Sequence, residues 1–352
     1  MLRKRNWILV GFAFLLTGCL ADEPLYYGFN GSGPTPYNLE IPSNFPGMVI
    51  PADNPMTVEG VRLGRRLFYE PMLSADGTQS CSSCHDQAHA FSDTTQYSLG
   101  IDGGFGDKNA MAVINLGWSQ EFFWNGREVG LEDHALQPVI NPVEMHNSWG
   151  SVEIFLNSDT TYQRMFREAF GVDEITQRHA VKAIAQFERT MISGNSRYDQ
   201  YMRGNQSVLT TLERQGLDLF FTEKAECFHC HTEILMMDNQ YHNNGLDMNF
   251  PEVNWGRFAV TGDSSHLGMF RTPTLRNIEL TGPYMHDGRF ETIEEVIEHY
   301  SSQIKITETV NPLLRRPGGL GLDPSEKVAL AAFLRTLTDT TFTNNPAFSD
   351  PF

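Results

Sequence analysis

Two five-residue stretches constrain this chain more than any other feature: Cys81-Ser82-Ser83-Cys84-His85 and Cys227-Phe228-His229-Cys230-His231, which take up four of the five cysteines. Cys-x-x-Cys-His is the attachment signature of c-type haem. The chemistry sets the spacing, because two thiols must reach the two vinyl groups of one porphyrin while the adjacent imidazole turns onto the iron. Zinc sites and redox dithiols also use Cys-x-x-Cys pairs, but paired zinc motifs stand roughly 12 to 20 residues apart. Here 142 residues lie between the two pairs, and each pair carries the following histidine. Two covalently bound haem c groups are therefore the expected cofactors, held by Cys81, Cys84 and His85 and by Cys227, Cys230 and His231.

The 352 residues, 40% of them hydrophobic, can bury two cores, since one domain takes roughly 100 to 200 residues. Gly64-Arg65-Arg66-Leu67-Phe68 precedes the first motif and Gly216-Leu217-Asp218-Leu219-Phe220 the second. This Gly-x-x-Leu-Phe repeat predicts two copies of a unit in which a helix leads into the haem and loops wrap it. Helical periodicity also runs from Val58 to Phe68, through Tyr162, Met165, Phe166, Ala169 and Phe170, and through Val181, Ile184, Phe187 and Met191. Asp323-Pro324-Ser325-Glu326 is a capping box that opens a helix through Leu337, and Thr292 with Glu295 opens another. On the latter, Ile293, Val296, Ile297 and Tyr300 share the apolar face and His299 lies off it. Strand-like alternation is scarce. The expected fold is mainly α, with two cytochrome c-like haem domains carrying long loops, residues 56–200 and 201–345, joined near Gly194 to Ser207.

The N-terminus has a basic start, Arg3-Lys4-Arg5, a short apolar run from Trp7 to Leu16, and the exit Leu16-Thr17-Gly18-Cys19. That describes a secretory signal over residues 1–19, too short to span a membrane comfortably. Its end resembles a bacterial lipobox, in which Cys19 becomes the lipid-bearing first residue; the alternative is an ordinary signal peptide lost together with Cys19. Both readings export the protein, to the periplasmic side of a bacterial membrane. Residues 20–55, rich in Pro, Gly and Asn, read as a tether between lipid and folded domain. Loss of the signal leaves 23 of the 26 Lys and Arg against 43 acidic residues. Such a surface disfavours nucleic acid and suits either plain solubility or a basic protein partner.

Further motifs stand in a fixed order around the haem sites: Phe122-Phe123-Trp124-Asn125-Gly126-Arg127, Asn141-Pro142-Val143-Glu144-Met145, Arg271-Thr272-Pro273-Thr274-Leu275-Arg276-Asn277, and Thr281-Gly282-Pro283-Tyr284-Met285-His286-Asp287-Gly288. Together with the haem motifs they resemble the bacterial di-haem cytochrome c peroxidase and MauG family over roughly residues 55 to 340. The resemblance implies that His85 is the proximal ligand of a peroxide-reactive haem and His231 that of an electron-transfer haem. It implies that Trp124 relays electrons between them. It makes Glu144 the distal carboxylate, a residue able to take a proton from one peroxide oxygen and return it to the other. Asn109, Thr281 and Pro283 match positions that hold one Ca²⁺ through an amide oxygen and two backbone carbonyls.

Three departures from the peroxidase pattern matter. Where many family peroxidases carry a loop histidine that blocks the peroxidatic iron at rest, this chain has Ile101, which cannot ligate iron; the first haem is then expected to react without reductive activation. His134 stands where a glutamine is usual near the distal pocket, and three roles fit it: assisting Glu144, ligating the iron, or filling the site. On the far side of the second haem the peroxidases place Met and MauG-like members place Tyr. Tyr300 occupies that position here, with Met285 and Met269 as alternatives. An anionic phenolate favours higher oxidation states, whereas Met raises the potential.

Three functions follow. The first is a peroxidase that reduces hydrogen peroxide to water with electrons from a small cytochrome c or cupredoxin. The second is a MauG-like enzyme that uses peroxide to oxidise side chains of a partner protein, which Ile101 and Tyr300 favour. The third is a non-catalytic electron carrier, which needs a sixth protein ligand on the first haem that the sequence does not supply. A homodimer is compatible with the family.

Overall fold

Each half of the chain is organised by two helices that cross at a glycine. The computed structural model describes residues 33–352; the signal, Cys19 and the first part of the tether lie outside them. The helices of six or more residues are α1 (Val58–Phe68), α2 (Trp149–Ser158), α3 (Thr160–Phe170), α4 (Gln177–Thr190), α5 (Arg197–Met202), α6 (Thr211–Phe220), α7 (Ile293–Glu298) and α8 (Pro324–Arg335). The fold is mainly α.

Helix α1 begins at Thr57, whose hydroxyl accepts from the Gly60 N–H, and buries Leu63, Leu67 and Phe68. At its crossing with α4, a Cβ on Gly64 would lie 1.9 Å from the Ala183 carbonyl oxygen and 2.9 Å from the Phe187 Cβ. Only a residue without a side chain permits that approach. The α6–α8 pair repeats the device: a Cβ on Gly216 would lie 1.9 Å from the Ala329 carbonyl oxygen and 2.8 Å from the Phe333 Cβ. The repeated Gly-x-x-Leu-Phe thus has a packing cause at both sites.

The expected apolar stripes face inward. Tyr162, Met165, Phe166 and Ala169 are buried on α3, and Val181, Ile184 and Phe187 on α4. Asp323 caps α8 by accepting from the N–H groups of Ser325 and Glu326. That helix stops at Arg335 rather than continuing to Leu337, because a tighter turn intervenes in which the Leu337 N–H donates to the Leu334 carbonyl. One apolar cluster gathers Leu63, Leu67, Trp149, Phe166 and Ile184, and another gathers Tyr198, Phe220, Ile297, Phe333 and Leu337. A third joins Phe68, Phe91 and Phe187 to Phe342 and Phe348 near the C-terminus.

Two ribbons complete the frame: β1 (Glu121–Phe122) pairs antiparallel with β2 (Glu128–Val129), and β3 (Tyr241–His242) with β4 (Phe270–Arg271). Among the described residues no helix is long and apolar enough to cross a membrane.

Two expectations change. The segment from residue 34 to 55, read as tether, lies against the folded body. The Tyr37 N–H donates to the Met56 carbonyl, Phe45 is buried beneath the Arg276 guanidinium, and the Asn54 amide donates to Glu132. Its missing periodicity reflects an extended strap that anchors single residues, which leaves no helical or strand signal. His299, expected off the apolar face, is itself buried. The chain from His299 to Gln303 forms a π turn at the end of α7, and His299 is covered there by the Phe290 ring, with its Nε2 3.1 Å from the Asn244 carbonyl.

Candidate functional site

Both Cys-x-x-Cys-His stretches form a single 3₁₀ turn, Cys81–Ser83 and Cys227–His229, that brings the two thiols and the histidine to one side. The His85 Nδ1–H donates to the Phe91 carbonyl at 3.0 Å and the His231 Nδ1–H to the Met236 carbonyl at 2.9 Å. Each acceptor residue has positive φ, 59° at Phe91 and 55° at Met236, which turns its carbonyl back onto the ring. The tautomer is thereby fixed and Nε2 is left as the free donor atom, the arrangement an iron ligand needs. Burial holds both imidazoles below their ordinary pKa and so in the neutral, ligating form.

Around the second turn lies an apolar cleft walled by Phe220, Leu275, Ile293, Val296, Ile297, Leu330 and Leu334, with Cys227, Cys230, His231 and Tyr300 opening into it. These residues fit a haem: two thiols, an oriented imidazole and a greasy envelope. The Asn244 amide donates both to the Tyr300 hydroxyl at 3.4 Å and to the Met285 sulfur at 3.3 Å. Tyr300 and Met285 therefore meet at one point of the cleft. Burial pushes the Tyr300 phenol up to about 12, so its anion requires a cation in the cleft. Met269 does not line it.

On the first side, Glu144 accepts from the Asn141 amide at 2.6 Å. Burial raises its carboxyl above the ordinary value, while the Asn141 hydrogen bond and the Arg127 charge pull the other way. Arg127 lies over the Phe123 ring, 3.3 Å from its centroid. His134 is wedged against Phe122 and Phe123, with ring centroids 5.0 and 4.7 Å away. Its Nδ1 is buried without a hydrogen-bond partner, and burial, assisted by the nearby His85, drives it down to about 3, so it is a neutral ring. The loop bearing Ile101 touches this region through its backbone: the Ile101 N–H donates to the Glu144 carbonyl at 3.1 Å.

Trp124 stands between the two regions. Its indole N–H donates to the Asn109 carbonyl at 2.8 Å, and its own carbonyl accepts from the Arg271 N–H at 2.8 Å. The following turn needs glycine, since a Cβ on Gly126 would lie 1.7 Å from the Tyr241 hydroxyl, and its φ is +70°. Trp124 lines the second-haem cleft and also a small adjoining cavity, where Asn109, Thr281 and Pro283 come together. The Asn109 amide nitrogen is spent on the Thr95 and Gln96 carbonyls, which leaves Oδ1 as its uncommitted acceptor. An oxygen-only donor set of this kind suits Ca²⁺.

Sequence reasoning missed Asn244, the charge at Arg271 and the His286 ring, which stacks on Phe270 at 3.7 Å and lines the second cleft. Asn244 carries no local signal, because its role arises only where two distant loops meet.

Two such attachment turns, one opening into an apolar cleft and one beside a buried carboxyl, define a two-haem c-type enzyme. The model of the di-haem cytochrome c peroxidase family matches residues 58–207. The chain is 35% identical to the methylamine utilization protein MauG of Methylorubrum extorquens over 82% of this chain and 80% of that one. It is 33% identical to the cytochrome c551 peroxidase of Nitrosomonas europaea, over 84% and 85% respectively. A crystal structure of a MauG-like protein associated with microbial copper homeostasis superposes with a TM-score of 0.83 at 38% identity, covering 90% of this chain and 99% of that one. The chain belongs to the di-haem cytochrome c peroxidase family.

Proposed function

We propose that this enzyme reduces hydrogen peroxide to water at the first haem, with electrons entering through the second. The observation that carries the reading is Glu144, a buried carboxyl held above its ordinary pKa and oriented by the Asn141 amide, with Ile101 in place of a blocking ligand. The haems supply the iron at which the peroxide bond is cleaved and the stored electrons. Glu144 takes the proton from one peroxide oxygen and delivers it to the departing one, and Asn141 keeps its carboxyl oriented for both halves. His134, neutral and unpartnered at Nδ1, assists that transfer. Trp124, pinned at both its indole N–H and its carbonyl, is the relay. Asn109, Thr281 and Pro283 hold a Ca²⁺ that fixes the relay's surroundings.

The donor is a small basic redox protein attracted by the acidic surface. The protein is exported and lipid-anchored through Cys19, and each half of the chain carries one haem.

A second reading, oxidation of side chains on a partner protein, is favoured by Tyr300, whose hydroxyl shares the Asn244 amide with Met285 inside the second cleft. One experiment tests the function: mixing the fully ferric protein with peroxide before any reductant, then measuring turnover with reduced cytochrome c. Immediate reaction and sustained turnover are expected. Reaction without turnover moves the assignment to the partner oxidase, and two low-spin haems inert until reduced would remove the role given to Ile101.

A further inference from the structure

Among the described residues three arginines are buried: Arg189 at 4% exposure, Arg271 at 5% and Arg276 at 1%. Two of them have their counter-charge. Both nitrogens of the Arg276 fork donate to Asp199 at 2.9 Å, and Arg189 donates to both oxygens of Glu132 at 2.8 and 2.9 Å. Arg271 has none. Its guanidinium reaches only the Ser119 hydroxyl at 3.4 Å and the Met111 sulfur at 3.5 Å, and its Nε has no partner. The acid whose charge acts on it, Glu121, is already committed to Arg257 at 2.9 Å and to the Tyr241 hydroxyl at 2.6 Å. A guanidinium cannot shed its proton to escape burial, so an uncompensated one is retained only where an anion from outside the polypeptide completes it.

Position identifies that anion. Arg271 sits on β4 opposite Tyr241 of β3, and its side chain is buried. It is the one Lys or Arg among the residues lining the second-haem cleft, and it also lines the small cavity that adjoins Trp124. Haem is apolar except for its two propionate carboxylates, and the planar fork of arginine matches a carboxylate in a bidentate manner. We propose that Arg271 is the propionate anchor of the second haem. The same residue donates its main-chain N–H to the Trp124 carbonyl, so haem edge and relay are held by one residue. Neutralising a propionate beside the iron favours the reduced state, so Arg271 also holds up that haem's reduction potential.

The inference rests on two haems being bound, which a pyridine haemochrome assay checks separately for every variant. In the full-length holoprotein, Arg271→Gln should lower one of the two midpoint potentials by spectroelectrochemistry and leave the other in place. Arg271→Lys, which keeps the charge but loses the fork, should move the potential less. It should still shift the resonance Raman propionate-bending band of one haem, so it carries the test if the glutamine variant fails to fold. Unchanged potentials and bending bands at two haems per chain would overturn the proposal. So would a wild-type potential that follows added chloride or acetate, since the counter-ion would then be a free anion in the adjoining cavity.

Discussion

Gly64 and Gly216, 152 positions apart, occupy equivalent crossings: a Cβ on either would stand 1.9 Å from a helical carbonyl oxygen, that of Ala183 in one case and Ala329 in the other. Each crossing lies ahead of an attachment turn in the chain, and the second pair, α6 and α8, lends Phe220, Leu330 and Leu334 to the wall of the second cleft.

Alanine at either glycine should therefore destabilise the fold by about 1 to 3 kcal/mol through overpacking. Gly150 on α2 is the control, because its added Cβ would meet only the Ser148 hydroxyl at 4.0 Å; Gly150→Ala should be neutral or mildly stabilising. Urea unfolding of the holoprotein reads the difference.

Glu144→Gln removes the proton carrier and leaves the attachment turns untouched. We expect the second-order rate with peroxide to fall by about 10²- to 10⁴-fold with unchanged haem spectra. In the parent protein the rate should fall as pH drops through a limb lying above 4.5, because burial raises this carboxyl and only its ionised form accepts the proton. Arg127 opposes that shift, so Arg127→Gln should move the limb to still higher pH in stopped-flow measurements.

Tyr300→Met should change the ferric EPR and optical spectra of the second haem alone and raise its potential, as replacement of an anionic phenolate by a thioether requires. An unaltered second-haem spectrum would remove Tyr300 from the ligand set and leave Met285, which shares its Asn244 contact.

Calcium should be found at one ion per chain by atomic absorption. Its removal by a chelator should slow electron transfer between the haems, since Asn109 both offers Oδ1 to the ion site and accepts from the Trp124 indole. Asn109→Ala should bind no calcium but keep both haems, because the acceptor for Trp124 is a backbone carbonyl.

Glu188, on α4, is buried with Oε2 unpaired, and burial pushes its carboxyl up to about 8. Its folded pKa lies above the unfolded one, so its cost to stability accumulates from about pH 4.5 to 8 and is constant beyond. Glu188→Gln should therefore stabilise the protein at pH 8, by on the order of 1 to 3 kcal/mol, and have little effect at pH 4.5. Thermal unfolding at the two pH values checks both halves.

Much of the molecule was legible because its determinants are local. The attachment turns, the capping box at Asp323, the stripes of α3 and α4 and the Gly-x-x-Leu-Phe repeat each depend on residues within a few positions of one another. The strap from residue 34 to 55 was not legible, because single anchors such as Phe45 and Asn54 leave no period to read. His299 was misplaced because the Asn244 loop and Phe290 cover it, and helical phase says nothing of which loop lies over a face.

The sequence by itself thus determined two haem-attachment motifs and a mainly helical fold, since covalent attachment and helix periodicity are written in short spacings, while the roles expected of Glu144 and Trp124 came from the family resemblance. Only the tertiary structure decided that Tyr300 and Met285 converge on Asn244, that Glu144 and His134 are both buried, and that Arg271 is a buried charge without a counter-charge of its own. Those properties depend on which distant segments exclude water around a group, and exclusion of water is settled by packing.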